Sequence, residues 1–269
     1  ARLSVFRTFI NDHIGEFHHA AVAMPLFHIR HKYFAIGLIA DSRATVSFRD
    51  QSVENFELKT DNVAGISAGS AYSFFDDTLQ IGGNVKFLYK VGIEERITTN
   101  DIINQDLSAI LGFNSWQKGF GVGVDIGGKY KLPFWQEYLQ PTLALTVQDI
   151  ANTRFTGGAS SIPMSVSAGM GIFPKYKGID FAVLADFREI QRRQNILKKF
   201  HAGLEAKFPQ VAKMRFALRA GSNQGYLAVG ASAEFPVVTL DIAYYGEELG
   251  EVNYEKPSYR LASQLSFGF

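Results

Sequence analysis

The sequence predicts an all-β fold, a transmembrane antiparallel β-barrel of about 12 strands with 14 as the alternative. Apolar and polar residues alternate along many segments, which is the pattern of strands with one apolar and one polar face. No run of about 18 uncharged apolar residues is present, so a transmembrane helix is excluded. We assign residues 19–269 to the barrel and residues 1–18 to an N-terminal segment that forms a short helix, a plug or a first strand.

The composition agrees with a barrel and excludes several other classes. The formal net charge is +1, so we expect no nucleic-acid partner. The chain has no cysteine, which excludes a disulfide framework and a thiolate metal site. It combines 25 glycines and 13% aromatic residues with only 8 prolines. The mean hydropathy of -0.01 does not argue against membrane insertion, because alternating strands hide their apolar face from window averages.

The clearest predicted strand covers residues 78–96. Its odd positions from 79 to 93 are apolar and its even positions are mainly polar, with Leu88 as the one large apolar exception. The run is longer than the roughly 3–10 residues of a typical soluble strand. The same alternation returns in seven further stretches, which are 34–43, 120–132, 139–148, 164–172, 179–188, 200–208 and 214–219, and in the final strand, 259–269.

Alternation alone fits a soluble β-sandwich as well as a barrel, and the turns favour the barrel. One set of connections is short and comprises 31–32, 75–77, 174–178, 209–212 and 236–237. The other set is longer and polar and comprises 50–61, 97–118, 150–161, 189–198 and 247–257, with 222–225 as a short exception. Short periplasmic turns and longer extracellular loops are the layout of outer-membrane barrels.

The polar faces of the predicted strands carry charges of both signs. In a barrel these residues line the lumen, either as a charged wall that selects solutes or as a network that pairs within a narrow, nearly closed interior. The lumen candidates are Lys86, Lys90, Asp125, Lys129, Asp180, Asp186, Arg188, Glu205, Arg215, Arg219, Asp241 and Arg260. Glycines on the same faces, including Gly121, Gly123 and Gly203, leave space or let a plug approach closely.

Aromatic residues gather where predicted strands end. Phe134, Trp135 and Tyr138 share one short turn, whereas Tyr244 and Tyr259 lie towards the opposite ends of their strands. Aromatic residues in these places are typical of the two interfacial girdles of a membrane barrel.

The final strand alternates up to a terminal phenylalanine. Tyr259, Leu265, Phe267 and Phe269 fall on one face. This pattern resembles the C-terminal recognition signal of bacterial outer-membrane proteins, and the resemblance implies that the outer-membrane assembly machinery reads this strand.

Other candidate sites are weaker. Five histidines lie in the first 31 residues, but the adjacent His18 and His19 would point to opposite faces of a strand, so we predict no metal site. No nucleophile motif surrounds His201 or Ser222, and we expect neither an enzyme nor a cofactor. The basic cluster at 191–199 is interpreted as a solvated loop, with lipopolysaccharide phosphates as its alternative partner.

Four short motifs resemble the TraF-like and PorV-like outer-membrane barrels, which are distant relatives of the FadL transporters. They cover residues 141–149, 201–209, 218–226 and 243–250, and the similarity extends over roughly 19–269. The resemblance implies a barrel fold without an agreed activity. FadL relatives carry an N-terminal hatch resembling Asn-Pro-Ala-Gly-Leu, and this sequence contains no such segment.

We therefore expect an integral protein of the bacterial outer membrane that contacts membrane lipid and lipopolysaccharide. The leading hypothesis is a porin-like or transporter-like conduit for small solutes. The alternative is a non-conducting scaffold barrel that binds a secretion partner or assembles into a homo-oligomer.

Overall fold

The computed structural model describes residues 8, 12, 17–50, 54–98, 116–248, 254 and 257–268. These residues form an antiparallel sheet of 14 strands in which successive strands are neighbours, except that β8 pairs only with β9, which therefore follows β7 directly. The strands are β1 (Phe17–Arg30), β2 (Ala35–Asp50), β3 (Glu54–Phe74), β4 (Leu79–Thr98), β5 (Gln117–Lys131), β6 (Thr142–Gln148), β7 (Ser165–Ile172), β8 (Lys175–Tyr176), β9 (Ile179–Phe187), β10 (Phe200–Lys207), β11 (Arg215–Asn223), β12 (Tyr226–Glu234), β13 (Val238–Glu248) and β14 (Pro257–Phe267).

The predicted all-β antiparallel fold is confirmed. Among the described residues, 13 strands follow one another across the sheet, one more than the favoured 12, and the alternative number of 14 is reached only by counting the two-residue β8. The two-residue β8 lies inside the predicted turn 174–178, and a strand that short shows no alternation. One helical turn, α1 (Ile196–Lys199), precedes β10. In the described part of the chain, no helix is both long and apolar enough to cross a membrane.

The predicted loop at 50–61 is wrong. Strand β2 continues to Asp50 and pairs with β3 from Glu54 onwards, with Asp50 opposite Glu54. Antiparallel pairing is made by backbone hydrogen bonds, so the polar sequence of this stretch does not prevent it. Most of the predicted loop 97–118 and most of the N-terminal segment lie outside the described residues.

Burial along the strands is inverted relative to a soluble sheet. In β4 the polar-face residues Lys86 and Lys90 are covered, whereas Phe87 is 58% exposed on the apolar face. Strand β5 repeats the pattern, since Gly121 and Gly123 are buried and Phe120 is exposed. Large apolar side chains are therefore exposed on the face that a soluble protein would bury.

The chain divides into two compact units, each built from several segments. The first comprises Ala1–Ala71, Gly83–Asp125 and Asp149–Met164. The second comprises Tyr72–Gly82, Ile126–Gln148 and Ser165–Phe269. Each unit contains its own set of ion pairs on the polar face.

Candidate functional site, the ion-paired polar face

Lys86 is the centre of the polar face in the first unit. Its Nζ lies 2.8 Å from Oδ1 of Asp125 and 2.8 Å from Oδ1 of Asp149. Lys86 projects from β4 and Asp125 from β5, whereas Asp149 directly follows β6. The three side chains are only 15%, 19% and 11% exposed, so one covered cation holds two covered carboxylates.

Neutral polar groups complete the bonding of the two carboxylates. Asn84 Nδ2 donates to Asp125 Oδ2 at 3.0 Å, and Ser67 Oγ donates to Asn84 Oδ1 at 2.8 Å. The backbone N–H of Asp149 donates to Asp125 Oδ1 at 2.9 Å. Thr153 Oγ1, on a residue that is 1% exposed, donates to Asp149 Oδ1 at 2.8 Å. These hydrogen bonds engage both oxygens of Asp125 and Oδ1 of Asp149 in a network whose net charge is −1.

Residues 149–157, called the inner segment below, run beside β5 after β6 ends. The N–H of Ile150 donates to the carbonyl of Val124 at 2.9 Å, and the N–H of Thr156 donates to that of Phe120 at 2.9 Å. Around the first of these bonds the backbone turns through positive φ at Asp149 (51°), Ala151 (61°) and Asn152 (66°). Positive φ is costly for residues other than glycine, so the surrounding contacts must hold this conformation.

Glycines in β5 give the inner segment its space. A Cβ atom on Gly123 would lie 2.6 Å from Thr153 Oγ1, and one on Gly121 would lie 2.8 Å from the carbonyl oxygen of Arg154. The same Cβ on Gly121 would also lie 2.8 Å from the Phe155 ring. Close approach, one of the two roles predicted for these glycines, therefore describes both positions.

Lys90 makes a second attachment to the inner segment. It is 4% exposed, and its Nζ lies 3.0 Å from Asp61 Oδ2 on β3. The same ammonium lies 5.5 Å from the centroid of the Phe155 ring, within the range of a cation–π interaction. Lys86 and Lys90 thus contact two side chains of the inner segment, Asp149 and Phe155.

Arg219 is the centre of the polar face in the second unit. Its Nε donates to Glu205 Oε2 at 2.5 Å, and its Nη1 donates to Asp241 Oδ1 at 2.8 Å. The residues belong to β10, β11 and β13, and Glu205 faces Arg219 in the strand register. The Arg219 side chain is 43% exposed and its partners are 31% and 28% exposed, so this triad remains accessible to water.

Two further ion pairs in this unit each reach over an intervening strand. Arg215 on β11 pairs with Asp180 on β9, and Lys207 on β10 pairs with Glu234 on β12. Neighbouring strands are about 4.8 Å apart, so each pair spans about 10 Å of sheet. Such a span needs long side chains on the same face of three successive strands.

The remaining lumen candidates form local contacts or are exposed. Asp186 pairs with Arg188 two residues away at 2.6 Å, and Arg260 pairs with Glu247 at 2.6 Å. Lys129 is exposed.

The structure thus joins Lys86 with Asp125, Glu205 with Arg219 and Asp241, and Asp180 with Arg215. Sequence reasoning missed Asp61, Asp149 and Thr153, because Asp61 was assigned to a loop and the other two follow the end of a strand. The glycines at 121 and 123 were the available signal for a closely packed segment.

The opposite face of the second unit is apolar and exposed over five consecutive strands. Its exposed large residues are Leu204, Phe216, Leu218, Leu227, Val229, Leu240, Ile242, Tyr244, Tyr259, Leu261, Leu265 and Phe267. Tyr244 and Tyr259 stack with their ring centroids 5.8 Å apart. Phe134, Trp135 and Tyr138 are exposed on the turn after β5. Phe269, the last residue of the predicted assembly signal, lies outside the described residues.

No protein-family profile and no curated protein matches the chain. Among solved structures, the chain is similar to the CymD monoaromatic hydrocarbon channel. The alignment has 12% sequence identity, covers 93% of this chain and 85% of that chain, and has a TM-score of 0.46.

Proposed function

We propose that the protein is an integral β-barrel of the bacterial outer membrane and a conduit for small solutes. The observation that carries the proposal is the inverted sheet, which covers or pairs its charges on one face and exposes large apolar side chains on the other. A transmembrane barrel has this arrangement, with lipid against the apolar face and water against the polar face.

The exposed apolar face has a large energetic consequence in water. Burying one Leu, Val or Phe side chain contributes about 1.5–3 kcal/mol, and strands β10 to β14 alone expose twelve large residues on this face. Few apolar side chains are buried among the described residues, so the apolar side chains contribute little to a buried core. Lipid chains would remove the apolar face from water, and the exposed Trp135, Tyr138 and Tyr244 suit the membrane–water interface.

The accessible Arg219 triad favours a conduit over a closed scaffold. Arg219, Glu205 and Asp241 are paired but remain partly exposed on the polar face. A Cβ atom on the neighbouring Gly203 would come no closer than 3.8 Å to another group, so space remains above this strand. Water and small solutes would pass along such a wall of paired charges.

A specific observation also favours the alternative. The inner segment covers Lys86, Asp125 and Lys90 on the polar face of the first unit, as a closed interior would require. A barrel that is sealed in this way would serve as a scaffold for a secretion partner or as a subunit of a homo-oligomer. The PorV-like motifs in the sequence agree with that role.

Membrane lipid and the assembly machinery are the partners that the proposal requires. Tyr259, Leu265 and Phe267 are exposed on one face of β14, which pairs with β13 through its whole length. An exposed apolar strand at this place would meet lipid after insertion. Arg193 is exposed on the loop before α1, in the basic cluster that we propose as a contact for lipopolysaccharide phosphates.

Single-channel conductance of the refolded protein in a planar bilayer tests the conduit, with solute-driven liposome swelling as a second readout. We expect stable conductance whose ion selectivity shifts towards cations in Arg219→Gln, because the triad then loses its cation. Lys177→Gln is the matched control, since Lys177 is an exposed cation in the turn between β8 and β9.

One result would contradict the conduit, and another would contradict the role of the Arg219 triad. A barrel that is folded, shown by heat-modifiable migration in gel electrophoresis, but silent in the bilayer would favour the scaffold. A selectivity shift in Lys177→Gln as large as that in Arg219→Gln would mean that the Arg219 triad does not line the path.

A further inference from the structure

We infer that the inner segment is a constriction of the conduit and that Asp149 is the positioning residue that holds it on the polar face, thereby setting the size limit for solutes. The inference rests on the proposed function, because only a conducting barrel has a size limit. Its basis is the set of contacts within the first unit that place the inner segment over β4 and β5.

The inner segment occupies the side of the sheet where solutes would pass. The Phe155 ring lies over Gly121 and beside the ammonium of Lys90, and Thr153 lies over Gly123. Gly121, Gly123 and Lys90 are all on the polar faces of their strands, which the burial pattern identifies as the covered side. Side chains of the inner segment therefore fill space that the glycines leave open.

Asp149 provides the main side-chain attachment of the inner segment to the strands, beside the backbone hydrogen bonds that Ile150 and Thr156 donate to β5. Its carboxylate accepts from Lys86 on β4 and from Thr153 within the inner segment, and its N–H donates to Asp125 on β5. The positive φ of Asp149, Ala151 and Asn152 makes this turn depend on such contacts. Phe155 adds only the weaker contact with Lys90.

Because Lys86 contacts two carboxylates, the attachment of the inner segment through Asp149 can be removed without breaking the contact between β4 and β5. In an Asp149→Ala variant, Lys86 keeps its 2.8 Å contact with Asp125, so the cation and the remaining carboxylate form a neutral pair. The pairing of β4 with β5 through these side chains is retained. The loss falls on the inner segment, which makes Asp149→Ala a selective way to release it.

Cysteine labelling measures the release independently of conduction. The chain contains no cysteine, so Ala159→Cys adds a single thiol at a position that is 8% exposed, two residues after the inner segment. The neighbouring Ser160 is exposed, and Ser160→Cys reports full reactivity. In the folded barrel we expect Asp149→Ala to raise the labelling rate of the buried thiol by about tenfold or more, the change that corresponds to about 1.4 kcal/mol.

The matched control is Asp241→Asn, measured beside Asp149→Asn. Each change neutralises one of two carboxylates on a single cation, but in the part of the chain that the structure describes no segment outside the strands is attached to Asp241. We expect Asp241→Asn to leave the labelling rate at position 159 unchanged. If Asp149→Ala does not fold, Gly123→Ala approaches the inner segment from β5, where the added Cβ would lie 2.6 Å from Thr153 Oγ1, and should also expose the thiol.

Conductance and liposome swelling of the same variants decide the size limit. Faster labelling together with higher conductance and entry of larger sugars supports the constriction. Unchanged labelling in folded Asp149→Ala and Gly123→Ala overturns the role of Asp149. Faster labelling with an unchanged size limit overturns the constriction while the conduit stands. Silence of every variant, including the parent, overturns the conduit and the size limit together, and labelling still decides whether Asp149 holds the segment.

Discussion

Lys86 and Arg219 have the same charge pattern in different surroundings. Each is one cation between two carboxylates, Asp125 and Asp149 for Lys86, and Glu205 and Asp241 for Arg219. The Lys86 side chain is 15% exposed, whereas that of Arg219 is 43% exposed. The contact distances do not account for this difference, since they lie between 2.5 and 2.8 Å in both triads.

The difference comes from the chain that lies beside each triad. Asp149 belongs to the inner segment, which approaches β5 because Gly121 and Gly123 carry no side chains. Both partners of Arg219 belong to strands of the sheet itself, and within the described residues no segment like residues 149–157 is attached to them. The same ionic motif is therefore a covered anchor in one unit and a wetted surface in the other. The contribution of an ion pair to stability depends on its exposure to water more than on the number of its partners.

The largest contrast is expected when the central cation is removed. Lys86→Met leaves two covered carboxylates without a cation and should lower the free energy of unfolding by about 3–5 kcal/mol. Arg219→Met removes a partly exposed cation and should cost about 1 kcal/mol or less. Urea unfolding of the protein refolded in detergent micelles, followed by tryptophan fluorescence, measures both. Equal losses would show that cover does not separate the two triads.

The second contrast concerns the glycines. Gly123→Ala places a methyl group 2.6 Å from Thr153 Oγ1, whereas at Gly203 the nearest group would be 3.8 Å away. We expect Gly123→Ala to destabilise the protein by about 1–3 kcal/mol through overpacking, while Gly203→Ala is neutral or slightly stabilising. The midpoints of the same urea transitions provide the comparison. A neutral Gly123→Ala would mean that the inner segment is not closely packed on β5.

The third contrast concerns hydroxyl groups beside each triad. Thr153 donates to Asp149 at 2.8 Å, whereas Ser232 accepts from Arg219 at 3.4 Å, a distance too long for a strong bond. Thr153→Val should cost about 1 kcal/mol, and Ser232→Ala less than about 0.5 kcal/mol. Thermal unfolding monitored by circular dichroism resolves the pair. A larger loss of stability in Ser232→Ala than in Thr153→Val would contradict the expectation that the hydroxyl group beside the covered triad contributes more.

The smallest contrast is in salt dependence. Asp241→Asn removes an exposed ion pair, so its cost of about 0.5 kcal/mol should disappear at about 1 M salt, where the Debye length is about 3 Å. The cost of Asp149→Asn should persist, because the Lys86 triad is largely covered. Urea midpoints at low and high salt measure the difference. A cost of Asp149→Asn that also vanishes in salt would place water around Lys86.

Local alternation predicted the faces of the strands, and the structure explains why it predicted less of the site. Lys86 and Asp125 were assigned to polar faces because a side-chain period of two needs only neighbouring residues. Their contact with Asp149 depends on a bulging turn with three residues at positive φ, and none of those residues is a glycine. Thr153 reaches its partner only after that turn. The start of β3 was not predicted, because Glu57, Lys59 and Thr60 interrupt the alternation of apolar and polar residues there.

The ion pairs that reach over a strand also bear on how the sheet is assembled. Arg215 meets Asp180, and Lys207 meets Glu234, only when three successive strands are aligned in one register. A shift of one residue in β10 or β11 would turn these charges to the opposite face. On a lipid-facing wall a basic residue costs about 2–4 kcal/mol at the bilayer midplane and less near its edges. The pairs would therefore disfavour misaligned registers during insertion, since a misaligned strand would lose an ion pair and expose a charge at the same time.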